Sequence, residues 1–146
     1  MIVEKDKLYP ELYISPKGEQ ILDFKQNMVG FVRFKGFLNK NQEIKMSHGE
    51  VLQNKSFFNL NLRSAKQILK FKGDGQKRIY EPKFTFFGFR YVLVEGLEAS
   101  INPNDFEGIV IYTNLEKTVE CKTDNLAIVY TSSHFELSEN SEKIYI

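Results

Sequence analysis

The sequence predicts an all-β chain folded as a two-layer antiparallel β-sandwich of jelly-roll type. Three observations carry this. Apolar residues alternate with a period of two in several runs, as in MVGFVRFKGF. Clusters of Gly, Pro, Asn and Asp recur about every ten residues between those runs. No stretch of useful length keeps a helical period.

The elements follow in order. ELYIS (Glu11–Ser15) is a short extended run, stopped by Pro16, Lys17 and Gly18. EQILDF continues it, and MVGFVRFKGF forms a longer strand in which Val32 and Phe34 share one face while Phe31, Arg33 and Lys35 share the other. LNKNQ is a polar turn, after which EIKMSHGEVL is extended. Leu52 to Leu62 reads as a loop rich in Asn and Phe. RSAKQILKFKG then approaches Gly73-Asp74-Gly75, whose tolerance of positive φ predicts a hairpin returning through KRIYEPKF. RSAKQILKF is the strongest helical competitor.

FTFFGFRYVLVEG (Phe84–Gly96) is the most apolar stretch and is apolar on both faces. It predicts a central strand covered on two sides. Asn102-Pro103-Asn104-Asp105 is a turn, GIVIYTNL and NLAIVYTS are strands, and the tail HFELSENSEKIYI closes the chain. Ser138 there could cap a short helix. With no repeat, linker or low-complexity tract, residues 1–146 read as one domain.

Composition narrows the function. The chain has 146 residues, 42% hydrophobic and 14% aromatic, enough for one domain with a real core. Net charge is +1 with the signs interspersed, so no basic stripe exists to bind nucleic acid or a membrane surface. No apolar run approaches a membrane span, and MIVEKDKLYPEL is too polar for a signal peptide. Location is left open between the cytoplasm and export with a parent protein. Cys121 is alone, which rules out an internal disulfide and reads as a partly buried structural thiol.

Catalytic chemistry is not assembled by any motif. His48 and His134 have no partner at metal-ligand spacing, and His48 in HGE reads as an exposed or strand-end histidine. There is no GxSxG, and GDG lacks the strand–loop–helix context of a phosphate loop. No carboxylate pair stands out among the 19 acids, so no catalytic residue, metal ligand or cofactor is assigned. A sugar-binding face would have to use Tyr and Phe, since Trp is absent.

The sharpest feature is Arg90, a charge on an apolar strand. A buried guanidinium must be paired, so Arg90 is expected to be an anchor bonded to Glu50, another acid or backbone carbonyls. The alternative is that its face lines a groove and meets a ligand. Arg63 in NLRSAK faces the same choice, either pinning its loop or contacting a ligand. Arg63, Arg90 and Glu50 are therefore the candidate ligand-binding residues.

Taken together, ILDFKQNMVGFVRFKG, GEVL, NLRSAK, EPKFTFFGFRYVLVEG and TNLE resemble the concanavalin-like β-sandwich domain of bacterial α-L-rhamnosidases. That family's pattern runs close to LDFGQNxxGxVR, AEVL, NLRxA, PxFTxHGFRYVEV and SDLE. Asp23, Gln26, Asn27, Gly30, Val32 and Arg33 match the first block, and Glu50, Val51 and Leu52 the second. Asn61, Leu62, Arg63 and Ala65 match the third; Pro82, Phe84, Thr85, Gly88, Phe89, Arg90, Tyr91 and Val92 match the fourth. Lys25 replaces the usual Gly, and Phe87 stands where a His is common.

The resemblance implies an accessory domain that precedes and packs on a helical catalytic barrel. FELSENSEKIY or ECKTDN would align to the segment leading into that barrel. The acids of the inverting hydrolysis lie in the barrel, so this chain is expected not to be catalytic by itself. An apolar patch facing the barrel is expected, with self-association when it is left uncovered. The alternative implied is an independent module that binds rhamnose-type sugars.

Overall fold

The computed structural model describes residues 2–97 and 100–113 with their side chains, and the backbone of four further strands between 119 and 145. The strands in chain order are β1 (Ile2–Leu8), β2 (Glu11–Ile14), β3 (Gln20–Phe37), β4 (Glu43–Gly49), β5 (Val51–Gln53), β6 (Ser56–Phe58), β7 (Ile68–Lys72), β8 (Lys77–Tyr80), β9 (Phe87–Glu95) and β10 (Phe106–Thr113). Beyond them run β11 (Val119–Lys122), β12 (Ala127–Thr131), β13 (His134–Glu139) and β14 (Glu142–Tyr145). Short 3-10 turns cover Leu60–Leu62 and Pro103–Asp105. The fold is all-β and antiparallel, built around one curled sheet, as the all-β reading of the sequence predicts.

β3 is the spine. The sequence suggests two runs, EQILDF and MVGFVRFKGF, but they form one 18-residue strand. One flank pairs with β2 and then β10, the other with β9 and then β8. The order across the main sheet is β1-β10-β3-β9-β4-β7. The β3–β9 register shifts between Asp23 and Met28. At this irregularity Lys25 takes φ +68°, the left-handed conformation glycine adopts without steric cost. Its N–H bonds to Asp23 Oδ1 at 2.8 Å, closing a local turn.

The core lies on the face the alternation marked. Val32 and Phe34 are buried with Leu22, Phe24, Met28, Ile44, Met46, Phe89, Val92, Phe106 and Val110. Phe34 lies opposite both Phe106 and Tyr80, and the three rings stack at centroid spacings of 4.9 and 5.7 Å. On the other face Arg33 lies opposite Glu107 and binds Glu81 and Glu4, while Lys35 binds Glu107 at 2.5 Å. These contacts neutralise a carboxylate that is itself buried. β1, at the sheet edge, is rich in charge and bulged between Glu4 and Asp6, features that discourage edge-to-edge pairing.

Several expectations are corrected. The apolar strand starts at Phe87 rather than Phe84: Phe84 is 100% exposed and Phe86 is exposed as well, so neither lies in the core. Phe89 and Val92 are both fully buried although three residues apart, so strict alternation fails between them, opposite the irregular part of β3. Gly73-Asp74-Gly75 does turn the chain, with Gly75 at φ +83°, but β7 pairs with β4 and β8 with β3, so no hairpin forms. The supposed loop from Leu52 holds the β5–β6 hairpin, whose two-residue turn Asn54-Lys55 has positive φ at both positions. RSAKQILKF ends in β7, not a helix, and the tail backbone runs as β13 and β14 rather than a helix capped by Ser138. The side chains of Cys121 and His134 lie outside the described residues.

Candidate functional site

β4 runs antiparallel to both β9 and β7, so the end of β4 lies beside the starts of β9 and β7. One end of the sheet therefore gathers Glu50, the β5–β6 hairpin, the Leu60–Leu62 turn, Arg63 and the segment 81–86. All three candidate ligand-binding residues belong to this end or border it.

Arg90 is a pairing residue, but a less buried one than expected. Its side chain keeps 35% of its exposure, while that of Asp23 keeps 13%. The guanidinium is bidentate on Asp23, Nε to Oδ1 at 2.9 Å and Nη2 to Oδ2 at 3.2 Å, and lies 4.9 Å from the centre of the Tyr91 ring. The acid is Asp23, not Glu50. Burial pushes the Asp23 carboxyl up, but hydrogen bonds from Arg90 and the Lys25 N–H outweigh it and hold the group below the usual carboxylate range.

Glu50 is exposed at the bend between β4 and β5. Its Oε1 lies over Gly88, 3.6 Å from where a Cβ would stand. Arg63 is exposed too, with φ +54°, and its N–H bonds to Leu60 O at 3.2 Å. Among the described residues its side chain forms no ion pair. The other residues of the family blocks divide by place. Gly30 and Phe89 are buried, Asp23, Gln26, Gly88, Tyr91 and Pro82 are half-buried, and Asn27 is exposed.

The apolar residues of these loops are uncovered. Leu60 is 79% exposed, and Val51, Phe84 and Phe86 are exposed with it. Large apolar side chains exposed in this number are characteristic of an interaction surface.

Sequence reasoning missed His48. It sits near the end of β4 as expected, yet it is wholly buried rather than exposed. Its ring lies 4.7 Å from that of Phe87 and 4.8 Å from that of Phe89, centre to centre. Nδ1 lies 3.1 Å from Gln67 O, while Nε2 has no partner among the described residues. Burial pushes the imidazole down to about 4. Its signal was the alternation with Met46 and Ile44, both buried on the same strand. Among the described residues no three metal-binding side chains come together.

Comparison with known proteins places this geometry. Residues 14–112 match the family described as the bacterial alpha-L-rhamnosidase concanavalin-like domain. An alpha-L-rhamnosidase of Streptomyces avermitilis is 37% identical over 110 residues, which cover 73% of this chain and 11% of that protein. The crystal structure of native α-L-rhamnosidase from Aspergillus terreus superposes with a TM-score of 0.74 at 32% identity, over 80% of this chain and 14% of that one. The Streptomyces avermitilis enzyme complexed with L-rhamnose gives the same TM-score and identity, over 80% of this chain and 12% of that one. The chain thus spans about a tenth of the length of the curated relative it matches. By the match across most of its described residues, the chain belongs to the concanavalin-like domain family of the bacterial α-L-rhamnosidases.

Proposed function

We propose that residues 1–146 act as one non-catalytic supporting domain of an α-L-rhamnosidase, docked on the catalytic barrel through the end built from residues 50–66 and 81–86. The parent enzyme would remove terminal α-L-rhamnose from glycans or glycosides. One observation carries the reading. The block EPKFTFFGFRYV is divided, with Phe89 and Val92 in the core while Phe84 and Phe86 stand exposed. The hydrophobic effect favours covering such side chains, at roughly 25 cal/mol per Å². Glu50 and Arg63, exposed at the same end, would supply polar contacts at the rim.

The test adds this chain in trans to a separately produced catalytic barrel of a family member. Sedimentation velocity and turnover of an aryl rhamnoside are the readouts. A complex should form, F84D/F86D should abolish it, and the chain alone should not turn over substrate. Turnover by the chain alone, or a complex indifferent to F84D/F86D, would reject the proposal. Without the barrel, the same face should drive concentration-dependent self-association that F84D/F86D removes.

A further inference from the structure

At the opposite end of β9, the Leu38–Gln42 turn faces Leu97 and Ser100, Ile101, Asn102, Asp105 and Phe106 across a cleft of about 320 Å³. That volume is at the lower end of the range for small-molecule sites, room for about one sugar ring.

Both rims are braced. On the first, Gln42 Oε1 accepts from Asn39 N at 2.9 Å and its Nε2 donates to Gly96 O at 2.8 Å. Asn41 N donates to Gly73 O and Gly73 N to Gln42 O, at 2.9 and 2.8 Å. On the second, Asn102 Oδ1 accepts from Asn104 N at 3.1 Å, and Ile101 N donates to Gln20 Oε1 at 2.7 Å.

Three polar groups lining the cleft are left over by this bracing. Among the described residues the Asp105 carboxylate, the Asn39 side-chain amide and the Ser100 hydroxyl make no hydrogen bond or ion pair. The wall beside them is aromatic, with Phe34 and Phe106 stacked beneath and Phe37 55% exposed. A carboxylate accepts from hydroxyls, an amide both donates and accepts, and an exposed ring offers a flat apolar face. A pyranose presents hydroxyls at its edge and C–H groups on its face, which matches this set.

We propose that the cleft is a binding subsite for a single neutral pyranose, with Asp105, Asn39 and Ser100 reading hydroxyls and Phe37 stacking on the ring. The choice of a sugar rests on the rhamnosidase reading above. The position is separate from Arg63, Arg90 and Glu50, so the cleft and the docking face can be occupied together. Bracing of both rims in advance lowers the ordering cost of binding.

The test is titration of the ¹⁵N-labelled 146-residue chain with L-rhamnose and, separately, methyl α-D-glucoside. Amide shifts for Phe37, Asn39, Ser100 and Asp105 are expected, saturating with a Kd of about 1–10 mM for at least one sugar. Asp105→Ala should weaken this at least about tenfold, with Asn39→Ala and Phe37→Ala weakening it less, while the rest of each spectrum stays as in the parent chain. Absence of shifts up to about 100 mM, two decades above the tight end of that range, would overturn the proposal. So would shifts indifferent to Asp105→Ala and Asn39→Ala, or shifts clustered around Glu50 and Arg63. The F84D/F86D chain should bind sugar unchanged, which separates failure of docking from failure of the cleft.

Discussion

The Arg90 guanidinium on β9 forks onto both carboxylate oxygens of Asp23 on β3, across the place where the two strands lose register. The pair fastens an irregular joint that backbone hydrogen bonds alone hold less well. Arg90→Ala should cost about 1–2 kcal/mol in urea unfolding, less than a fully buried pair because the guanidinium is partly in water. Asp23→Asn should cost about the same, and the double variant clearly less than the sum. Arg90→Lys should rescue little, since an ammonium cannot span both oxygens. Because the Asp23 carboxyl is lowered in the fold, its contribution is present above the unfolded pKa near about 3.9 and is lost as pH falls through the folded value.

His48 gives the pH window just above that of Asp23 its own signature. Its folded pKa is about 4, below the ordinary value of 6.5, so the unfolded chain takes up a proton first as pH drops. Stability is therefore full above about pH 6.5 and declines down to about pH 4, by about 3 kcal/mol if the whole shift is expressed. Below that the contribution is flat. The imidazole is packed against the rings of Phe87 and Phe89. His48→Leu should flatten the pH dependence of the urea midpoint between pH 4 and 6.5, where the parent chain slopes.

Two glycines of the same family pattern should behave differently. A Cβ on Gly30 would lie 1.9 Å from the backbone oxygen of Ile109, and neither strand can retreat without breaking the β3–β10 ladder. Gly30→Ala should cost about 3 kcal/mol or prevent folding. A Cβ on Gly88 would meet only Glu50 Oε1 at 3.6 Å, an ordinary contact. Gly88→Ala should change stability by less than about 0.5 kcal/mol. Thermal melts of the two variants side by side check the contrast.

Lys25 occupies a glycine conformation, φ +68°, with a side chain that bonds Glu11 at 2.7 Å on the surface. Lys25→Gly should raise stability by about 0.5–1 kcal/mol, because relief of the left-handed backbone outweighs an exposed ion pair. Lys25→Val, branched at Cβ, should lower it. Both are read from urea midpoints.

Local pattern carried the fold class and most strands. Val32 and Phe34 were placed on the core face by alternation alone, and Asn102-Pro103-Asn104-Asp105 declared its turn. What failed depended on distant partners. Gly73-Asp74-Gly75 has hairpin chemistry, but its flanking strands are claimed by β4 and β3. Phe84 and Phe86 read as core because apolar residues usually are. Their exposure follows from β9 beginning only at Phe87. At the candidate site, the need of Arg90 for an acid was legible. That the acid is Asp23 required the register of β3 against β9, which no local signal encodes.

The pairing of Ile2 with Thr113 has a consequence for synthesis. β1 leaves the ribosome before the other strands of the main sheet, and its sheet neighbour among the described residues, β10, is the last of that sheet to emerge. Closing so long a loop is entropically costly and slow. The central ladder of β3, β9 and β4 can assemble first, leaving β1 to be stitched on when translation has passed residue 113. Its alternating lysines and acids keep the waiting segment soluble meanwhile, so within the main sheet the strand made before its partners is the one seated after them.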